Sequence, residues 1–189
     1  MPSSIPLLEP LLELLPLDRL PRTGWVLRGI SAPESVAGHI LGTAHLALTL
    51  APRVTPPLDL GPTLAMALVH DVPEARSGDL PRPASDELPE GAKTAMEDLI
   101  AGSLLGALGQ PLLANWQEYR AGESREARFV RICDRLQLGV RLVGYLRAGA
   151  RGLGEFEPGL AQLDCSEFPP AAELQGEILR AVQDSGTNP

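Results

Sequence analysis

The spacing of apolar residues along the chain predicts helices and gives almost no strand signal. Leucines recur three and four positions apart over residues 6–15, and similar spacing continues further along the chain. The predicted helices cover residues 6–15, 31–50, 62–71, 90–108, 111–121, 124–148 and 170–184. Six to seven helices with short connections predict an all-α fold, a compact bundle that forms a single domain over residues 1–189.

Capping residues and prolines predict where several of these helices begin and end. Ser31, with Glu34 three residues later, resembles a capping box, and Pro33 suits a first helical turn. The second helix is therefore predicted to begin at Ser31 and to stop before Pro52. Ser124 is predicted to cap the long helix.

Two segments lack apolar periodicity and are predicted to be loops. Residues 22–30 are expected to form an ordered loop anchored by Trp25. Residues 76–91 are rich in Pro, Gly, Ser and charged residues, so a longer loop is expected there.

The composition restricts the kinds of partner that the protein can bind. The net charge of −8 argues against a protein that coats a nucleic acid polymer, because such a protein needs a basic surface. A small anionic substrate is still compatible with this charge, since a local cation can override the global field. No apolar stretch is long enough to span a bilayer, so no membrane partner is expected.

The start of the chain and its cysteines favour a cytoplasmic location. The leucine-rich start is interrupted by Pro10 and Pro16 and has no basic leader, so it does not resemble a secretory signal. Cys133 and Cys165 form no CxxC pair, and we expect two free thiols in a reducing compartment.

The strongest functional signal is the pair His70-Asp71 at the end of the apolar run 64–69. Burying either group without a partner is costly, and a neutral imidazole beside a carboxylate offers two ligands to a divalent ion. Glu74 follows one turn later on the same helical face, and Asp79 comes after a predicted turn. The chain therefore concentrates metal-ligand and acid–base chemistry in ten residues.

Two other predicted helices also place a polar residue on an apolar stripe. His39 lies on the second helix and Asp134 on the long helix. Together with His70 and Asp71, they would supply two imidazoles and two carboxylates from three packed helices. Such a set suits a first-row divalent ion.

Each of these residues also has a simpler interpretation when it is taken alone. His39 could be a hydrogen-bonded core histidine, and Asp134 could pair with Arg131 or Arg135 on its own helix. Isolated acids that precede or follow a turn are often solvated, which applies to Glu74 and Asp79. His45 lies about 120° around the helix from the first histidine and is expected to be core or surface.

The order of these motifs resembles the HD superfamily of metal-dependent phosphohydrolases, and within it the 5′-deoxynucleotidase-like branch. The resemblance covers about residues 20–145, where one His precedes a His-Asp pair and a distant Asp follows. A single His-Asp pair is a weak motif, whereas the ordered set is specific. The segments that carry it are residues 21–25, 34–39, 66–74, 78–80, 116–119 and 124–136.

The resemblance implies a metal site and a dimer. It places one divalent ion (Mn, Co, Mg, Zn or Fe) on His39, His70, Asp71 and Asp134. One ion is expected rather than two, because the chain has only 3 histidines. Members of the family are all-α and commonly form homodimers, so a homodimer is expected.

The resemblance also implies roles around the metal. Glu74 and Asp79 would be the acids near the attacking water and the leaving group. Arg22 would hold the phosphate, and Trp25 would pack beside the sugar or base. Trp25 and Trp116 could equally be core aromatics.

Four residues depart from the family pattern or from regular helix geometry. Gly38 replaces a usual acidic residue, Gly42 replaces a long polar side chain, and Gln137 replaces a common Glu. Pro73 has no backbone N–H and is expected to kink or end the helix beside Glu74. These departures leave all four metal ligands in place.

The resulting prediction is an enzyme that removes the 5′-phosphate from deoxyribonucleoside monophosphates by attack of a metal-activated water. A divalent ion lowers the pKa of its water from ~16 to about 7, which makes hydroxide available at neutral pH. Three alternatives stay open: a hydrolase of another small phosphoester, a metal-containing nucleotide-binding module without turnover, and a helical scaffold with no site. The metal, the base and the sugar are not specified by the sequence.

Overall fold

The computed structural model describes residues 6–186, and within this range the regular structure is helical. Short 3-10 turns cover Leu15–Asp18, Ala51–Arg53 and Gly154–Phe156. The α-helices are α1 (Leu8–Leu12), α2 (Thr23–Val26), α3 (Val36–Leu50), α4 (Leu60–Val69), α5 (Glu74–Ser77), α6 (Arg82–Asp86), α7 (Ala92–Leu108), α8 (Gln110–Ala121), α9 (Arg125–Arg147), α10 (Glu157–Ala161) and α11 (Pro169–Gly186).

The predicted all-α class is confirmed, but the predicted number of helices is too low. Helices α3, α4, α7, α8, α9 and α11 correspond to six of the predicted segments, whereas the first predicted helix shortens to α1. Helices α2 and α6 lie in the two segments predicted as loops, α5 begins just before the second of them, and the three have 4 or 5 residues each. Such short turns carry no apolar period, so the pattern could not reveal them. The single domain over residues 1–189 stays a prediction.

The predicted start of the second helix is wrong by five positions. Helix α3 begins at Val36, and the side chain of Ser35 caps it by accepting a hydrogen bond from the Gly38 N–H at 3.0 Å. Glu34 does not reach back to cap the helix, because its carboxylate is buried against other elements. Ser35 is therefore the N-cap, and Ser31 lies outside the helix.

Substitution of the true cap should be measurable. Ser35→Ala is expected to lower the free energy of unfolding by about 1 kcal/mol, because the Gly38 N–H loses its acceptor. Ser31→Ala is the matched control and should change it by less than about 0.5 kcal/mol, since Ser31 is exposed. Urea unfolding of the metal-free proteins measures both values. Equal effects at the two serines would contradict the assignment of the cap.

Helix α9 is the element around which the bundle is organised. Ser124 caps it as predicted, accepting a hydrogen bond from the Ala127 N–H at 3.1 Å. Helix α9 packs on α3, α4 and α11. Its buried residues belong to the larger of two apolar clusters. Side chains from α3, α4 and α9 can therefore meet inside the bundle.

The chain leaves α4 where Pro73 predicted a break. Helix α4 ends at Val69, the next residues form turns, and Pro73 is the N-cap residue of α5. Gly78 then adopts a φ of 75°, a left-handed backbone that favours glycine and turns the chain towards Asp79. The expected interruption is confirmed, and it places Glu74 on a separate short helix.

Among residues 6–186, no helix combines the length and the apolar composition needed to cross a membrane.

Candidate metal centre and its cleft

The two predicted histidine ligands meet in the interior of the bundle. His39 projects from α3 and is 0% exposed, while His70 follows the last residue of α4 and is 4% exposed. Their Nε2 atoms lie 3.3 Å apart. Asp134 from α9 places Oδ1 2.9 Å from Nε2 of His39. Asp71 places Oδ2 3.5 Å from Nε2 of His39 and 3.4 Å from Nε2 of His70.

The other ring nitrogen of each histidine contacts a carbonyl oxygen. Nδ1 of His39 lies 2.6 Å from Oε1 of Gln137, and Nδ1 of His70 lies 2.8 Å from the backbone oxygen of Ala67. Since carbonyl oxygens only accept, both Nδ1 atoms carry a hydrogen. In the neutral tautomers both Nε2 atoms then carry a lone pair, and the two atoms lie 3.3 Å apart.

This arrangement fits a divalent cation. Two imidazole lone pairs and two carboxylates converge, and nothing in that set donates a hydrogen when the imidazoles are neutral. One ligand atom each of His39, His70 and Asp71 lies within 4.8 Å of the others, and Asp134 adjoins His39. Zn²⁺ and related first-row ions are bound by nitrogen and oxygen ligands of these types. All four predicted ligands are therefore brought together, and their role as ligands stays a prediction.

The simpler interpretation describes His39, which is a buried histidine with a hydrogen-bonded Nδ1, but it does not describe Asp134. Arg131 does not pair with Asp134; its guanidinium donates to the backbone oxygens of Tyr119 and Arg120. Asp134 instead accepts a hydrogen bond from the Tyr119 hydroxyl at 3.3 Å. His45 is exposed, which agrees with leaving it out of the site.

The pKa shifts of His70 and Asp71 indicate that positive charge stabilises the metal-free centre. Burial lowers the pKa of His70, but the negative charges and hydrogen bond of Asp71, with Asp134, outweigh burial and raise it to about 9. Burial raises the pKa of Asp71, yet His70, Arg22 and His39 bring it well below its usual range. A metal ion would supply the charge that a protonated imidazole supplies here.

Metal-free protein should lose stability as the pH rises. The pKa of His70 is about 9 in the folded protein against an ordinary 6.5, and that of Glu74 is about 10 against 4.5. Between pH 6.5 and 9 the folded state therefore binds more protons than the unfolded state. The unfolding temperature of chelator-treated protein is expected to fall across this window. An unfolding temperature that rises with pH there would contradict these assignments.

Arg22 joins the metal centre to the two predicted catalytic acids. Its Nη1 lies 2.9 Å from Oδ1 of Asp79, 3.2 Å from Oδ2 of Asp71 and 3.7 Å from Oε2 of Glu74. Thr23 adds two bonds to Asp79, one from its backbone N–H to Oδ2 and one from its hydroxyl to the backbone oxygen. Arg22, Asp71, Glu74 and Asp79 thus form one connected group.

Glu74 is a half-buried acid with one oxygen that has no hydrogen-bond partner. Its Oε2 atom is buried and accepts no hydrogen bond. Burial and the nearby charge of Asp71 raise the pKa of Glu74 to about 10, against the opposing effect of Arg22. An acid whose pKa is shifted by burial in a cleft is a candidate for acid–base chemistry.

The centre opens into a cleft with a volume of about 710 Å³, within the usual range for small-molecule sites. Its lining includes the acids and arginine already described, together with Asp134. Leu138, Phe156 and Leu160 supply apolar surface, and the basic residues Arg28, Arg82, Lys93 and Arg135 also line it. The cleft therefore offers a polar metal end and an apolar wall. Its outer cations are shared with acids, since Arg28 pairs with Glu155, Arg82 with Asp86 and Lys93 with Glu97.

Both tryptophans are buried. Trp25 is 2% exposed, donates from Nε1 to Oε1 of Glu34 at 3.0 Å, and packs against Tyr145 and Phe156. Trp116 is 3% exposed and donates to the backbone oxygen of His70 at 3.2 Å. The core interpretation describes both residues. Trp25 also lines the cleft, so its proposed contact with a sugar or base stays a prediction.

The sequence did not assign Tyr119, Glu34 or Gln137 to the site. Tyr119 bonds Asp134, while Gln137 joins His39 to Glu34 by hydrogen bonds of 2.6 and 2.8 Å. Glu34 and Gln137 are 103 positions apart, so no local spacing could have paired them. Gln137 had drawn attention only as a departure from the family pattern.

Comparisons with known proteins agree with this geometry. The family model of the HD domain matches residues 17–157, which include every residue of the site. The chain belongs to the HD-domain family. The 5′-deoxynucleotidase HDDC2 of Homo sapiens is 35% identical over 126 residues, or 65% of this chain. That of Dictyostelium discoideum is 30% identical over 131 residues, covering 65% of this chain and 68% of that protein.

The HD-domain match extends to the fold. A Pyrococcus horikoshii OT3 protein of known crystal structure has a TM-score of 0.80 and 30% identity, covering 92% of this chain and 99% of that one. The matched region spans 59% of the length of the human relative.

Proposed function

We propose that this HD-domain protein is a metal-dependent phosphohydrolase that removes the 5′-phosphate from deoxyribonucleoside monophosphates. The observation that carries the proposal is the convergence of His39, His70, Asp71 and Asp134 beside Arg22 at one end of a cleft. Relatives named as 5′-deoxynucleotidases support the choice of substrate.

The four converging residues would hold one divalent ion, whether Mn, Co, Mg, Zn or Fe. When bound, such an ion supplies Lewis-acid chemistry, lowering the pKa of water and offsetting charge on phosphoryl oxygens. His39 and His70 would contribute neutral Nε2 atoms, because their Nδ1 hydrogens are held by Gln137 and Ala67.

Arg22 would bind the phosphate. Burial lowers the pKa of Arg22, but the surrounding carboxylates raise it above its usual value, so the guanidinium stays charged. Its Nη1 donates to Asp79 at 2.9 Å and to Asp71 at 3.2 Å, which leaves three of the five N–H groups of the guanidinium for a phosphate. Substrate would thus meet a cation that is already positioned.

Glu74 is the best-placed group for moving a proton at the reacting water. Its carboxyl lies near Arg22 and Asp71, and a positive charge at the metal centre would bring its raised pKa back towards neutrality. Asp79 would assist the departing 5′ oxygen, as the resemblance implies. Its two oxygens already accept bonds from Arg22 and Thr23, which supports an additional role in positioning Arg22.

Two alternatives compete with this function. A different small phosphoester would use the same centre, and only the apolar wall of the cleft would select against it. A nucleotide-binding module without turnover would have no need for Glu74, because a buried oxygen that accepts no hydrogen bond is costly to maintain. We therefore favour the enzyme.

The location and assembly are part of the proposal. We infer a cytoplasmic protein from its composition and a homodimer from the family. The leucines of the first helical segment favour an assembly, because Leu8 is 65% exposed and Leu15 is 57% exposed. Light scattering of the purified chain tests the dimer.

Phosphate release from a set of mononucleotides tests the function. The purified chain, loaded in turn with Mn, Co, Mg or Zn, is incubated with the 5′-, 3′- and 2′-monophosphates of deoxyribo- and ribonucleosides. We expect release from 5′-deoxyribonucleotides above all others. Release only from other phosphoesters would favour the first alternative, and nucleotide binding without any release would favour the binding module.

A further inference from the structure

We propose that Gln137 is a positioning residue for the metal centre. Held by Glu34, it fixes the imidazole of His39 with Nε2 directed at the other ligands, and Gly42 provides the space that it occupies. This inference rests on the proposed metal dependence, and it assigns roles to three residues that do not touch the metal.

The first step is the contact between Gln137 and His39. Gln137 lies on α9, one turn after Asp134, and is 4% exposed. Its Oε1 atom is 2.6 Å from Nδ1 of His39. A side-chain amide has one accepting oxygen and one donating nitrogen, so this contact alone leaves open which of the two faces the ring.

Glu34 decides the orientation of the amide. The Gln137 nitrogen donates to Oε2 of Glu34 at 2.8 Å, and a carboxylate can take only the NH₂ end. The oxygen of Gln137 must therefore face His39 and accept from Nδ1. The position of the hydrogen on the His39 ring and the orientation of the Gln137 amide are therefore fixed together. The lone pair on Nε2 of His39 is then available to bind a metal ion.

Glu34 is itself fixed by two further donors. Trp25 donates from Nε1 to Oε1 at 3.0 Å, and Arg141 donates from Nε to Oε2 at 2.9 Å. The Glu34 side chain is 2% exposed, so these bonds satisfy a carboxylate in the interior. The result is a chain of hydrogen bonds from the partly exposed Arg141 to Nδ1 of His39, the ring nitrogen opposite the metal-facing Nε2.

Gly42 makes this chain sterically possible. It lies on α3 one turn after His39, and a Cβ atom there would come within 2.8 Å of Nε2 and 2.9 Å of Cγ of Gln137. Real Cβ atoms do not approach that closely, so any side chain at position 42 would displace Gln137. Gly42 and Gln137 are thus a matched pair across the contact of α3 with α9.

Without Gln137, His39 loses the acceptor that selects its tautomer. The imidazole could then carry its hydrogen on Nε2 and present a donor to the centre, or turn away from it. Loss of such a supporting contact reduces metal affinity by roughly 10- to 100-fold. A merely structural role would lower stability and leave metal affinity unchanged.

The test measures Co²⁺ affinity of metal-free protein by competition with a chromophoric chelator. Gln137→Met removes both hydrogen bonds and nearly conserves shape, and we expect roughly 10- to 100-fold weaker Co²⁺ binding. Gln175→Met is the matched control, since the described hydrogen bonds of Gln175 go to the backbone oxygens of Leu160 and Leu163 and not to any of the four ligands. Its Co²⁺ affinity should equal that of wild type.

Gly42→Ala provides a second variant that keeps α3 helical, because alanine is the better helix former. In the wild-type background, Gly42→Ala should weaken Co²⁺ binding. In a Gln137→Ala background it should cause no further loss of Co²⁺ affinity, because the Gln137 side chain with which the new Cβ atom would clash is absent. If both Gln137→Met and Gly42→Ala bind Co²⁺ as tightly as wild type, the positioning role of Gln137 is overturned, while the proposed metal dependence is not affected. Absence of Co²⁺ binding by wild type would overturn the metal dependence and, with it, this inference.

Discussion

Glu74→Gln is expected to reduce the rate of phosphate release by on the order of 10² or more while the protein retains its metal. Glu74 lies 3.7 Å from Arg22 and outside the four converging ligands, and its oxygen Oε2 has no hydrogen-bond partner. Glutamine keeps the shape of the side chain but cannot take or return a proton. The substitution should therefore affect turnover and leave nucleotide binding nearly unchanged.

The matched control is Glu87→Gln, since Glu87 is an exposed residue that does not line the cleft. Its rate and metal content should both equal those of wild type. Steady-state phosphate release and metal analysis on the same samples make the comparison. Equal rates in wild type and Glu74→Gln would remove Glu74 from the mechanism and leave Asp79 as the remaining acid.

Asp71→Ala should fail in a different way, because it removes a metal ligand. Asp71 contacts His39, His70 and Arg22, and its loss leaves the imidazoles with Asp134 alone. We expect metal content to fall first, and activity with it. The gain in unfolding temperature on adding metal should shrink as well, since stabilisation by a ligand follows its affinity.

Asp98→Ala is the control for this variant, because Asp98 is an exposed carboxylate on α7. It should retain both metal and the metal-dependent gain in unfolding temperature. Full metal content in Asp71→Ala would contradict the assignment of Asp71 as a ligand. Loss of activity with metal retained would place Asp71 among the acids instead.

The long helices were predictable because their signals are local. Ser124 caps α9 as its sequence indicates, and α8 ends before Gly122, which adopts a left-handed φ of 69°. The capping signal failed at Ser31, since Glu34 is recruited by Trp25, Gln137 and Arg141, which a local pattern cannot anticipate. Tertiary contacts took precedence over a good capping sequence there.

The sequence predicts those residues of the candidate site that are polar but lie on otherwise apolar helix faces. His39, His70 and Asp134 interrupt apolar faces, so the sequence alone marks them, and the structure brings them together. The partners that orient them are ordinary residues in sequence terms. Gln137 and Gly42 are informative only once the distance between α3 and α9 is known.

Reconstitution of the metal-free protein tests the central claim most directly. The chain is stripped with a chelator, returned to Mn²⁺ in steps, and assayed at each step for bound metal and for phosphate release from a 5′-deoxyribonucleotide. The account predicts no release without metal and full release when about one ion is bound per chain. Release that persists after complete stripping, or a fully loaded protein that is inert towards every mononucleotide, would contradict it.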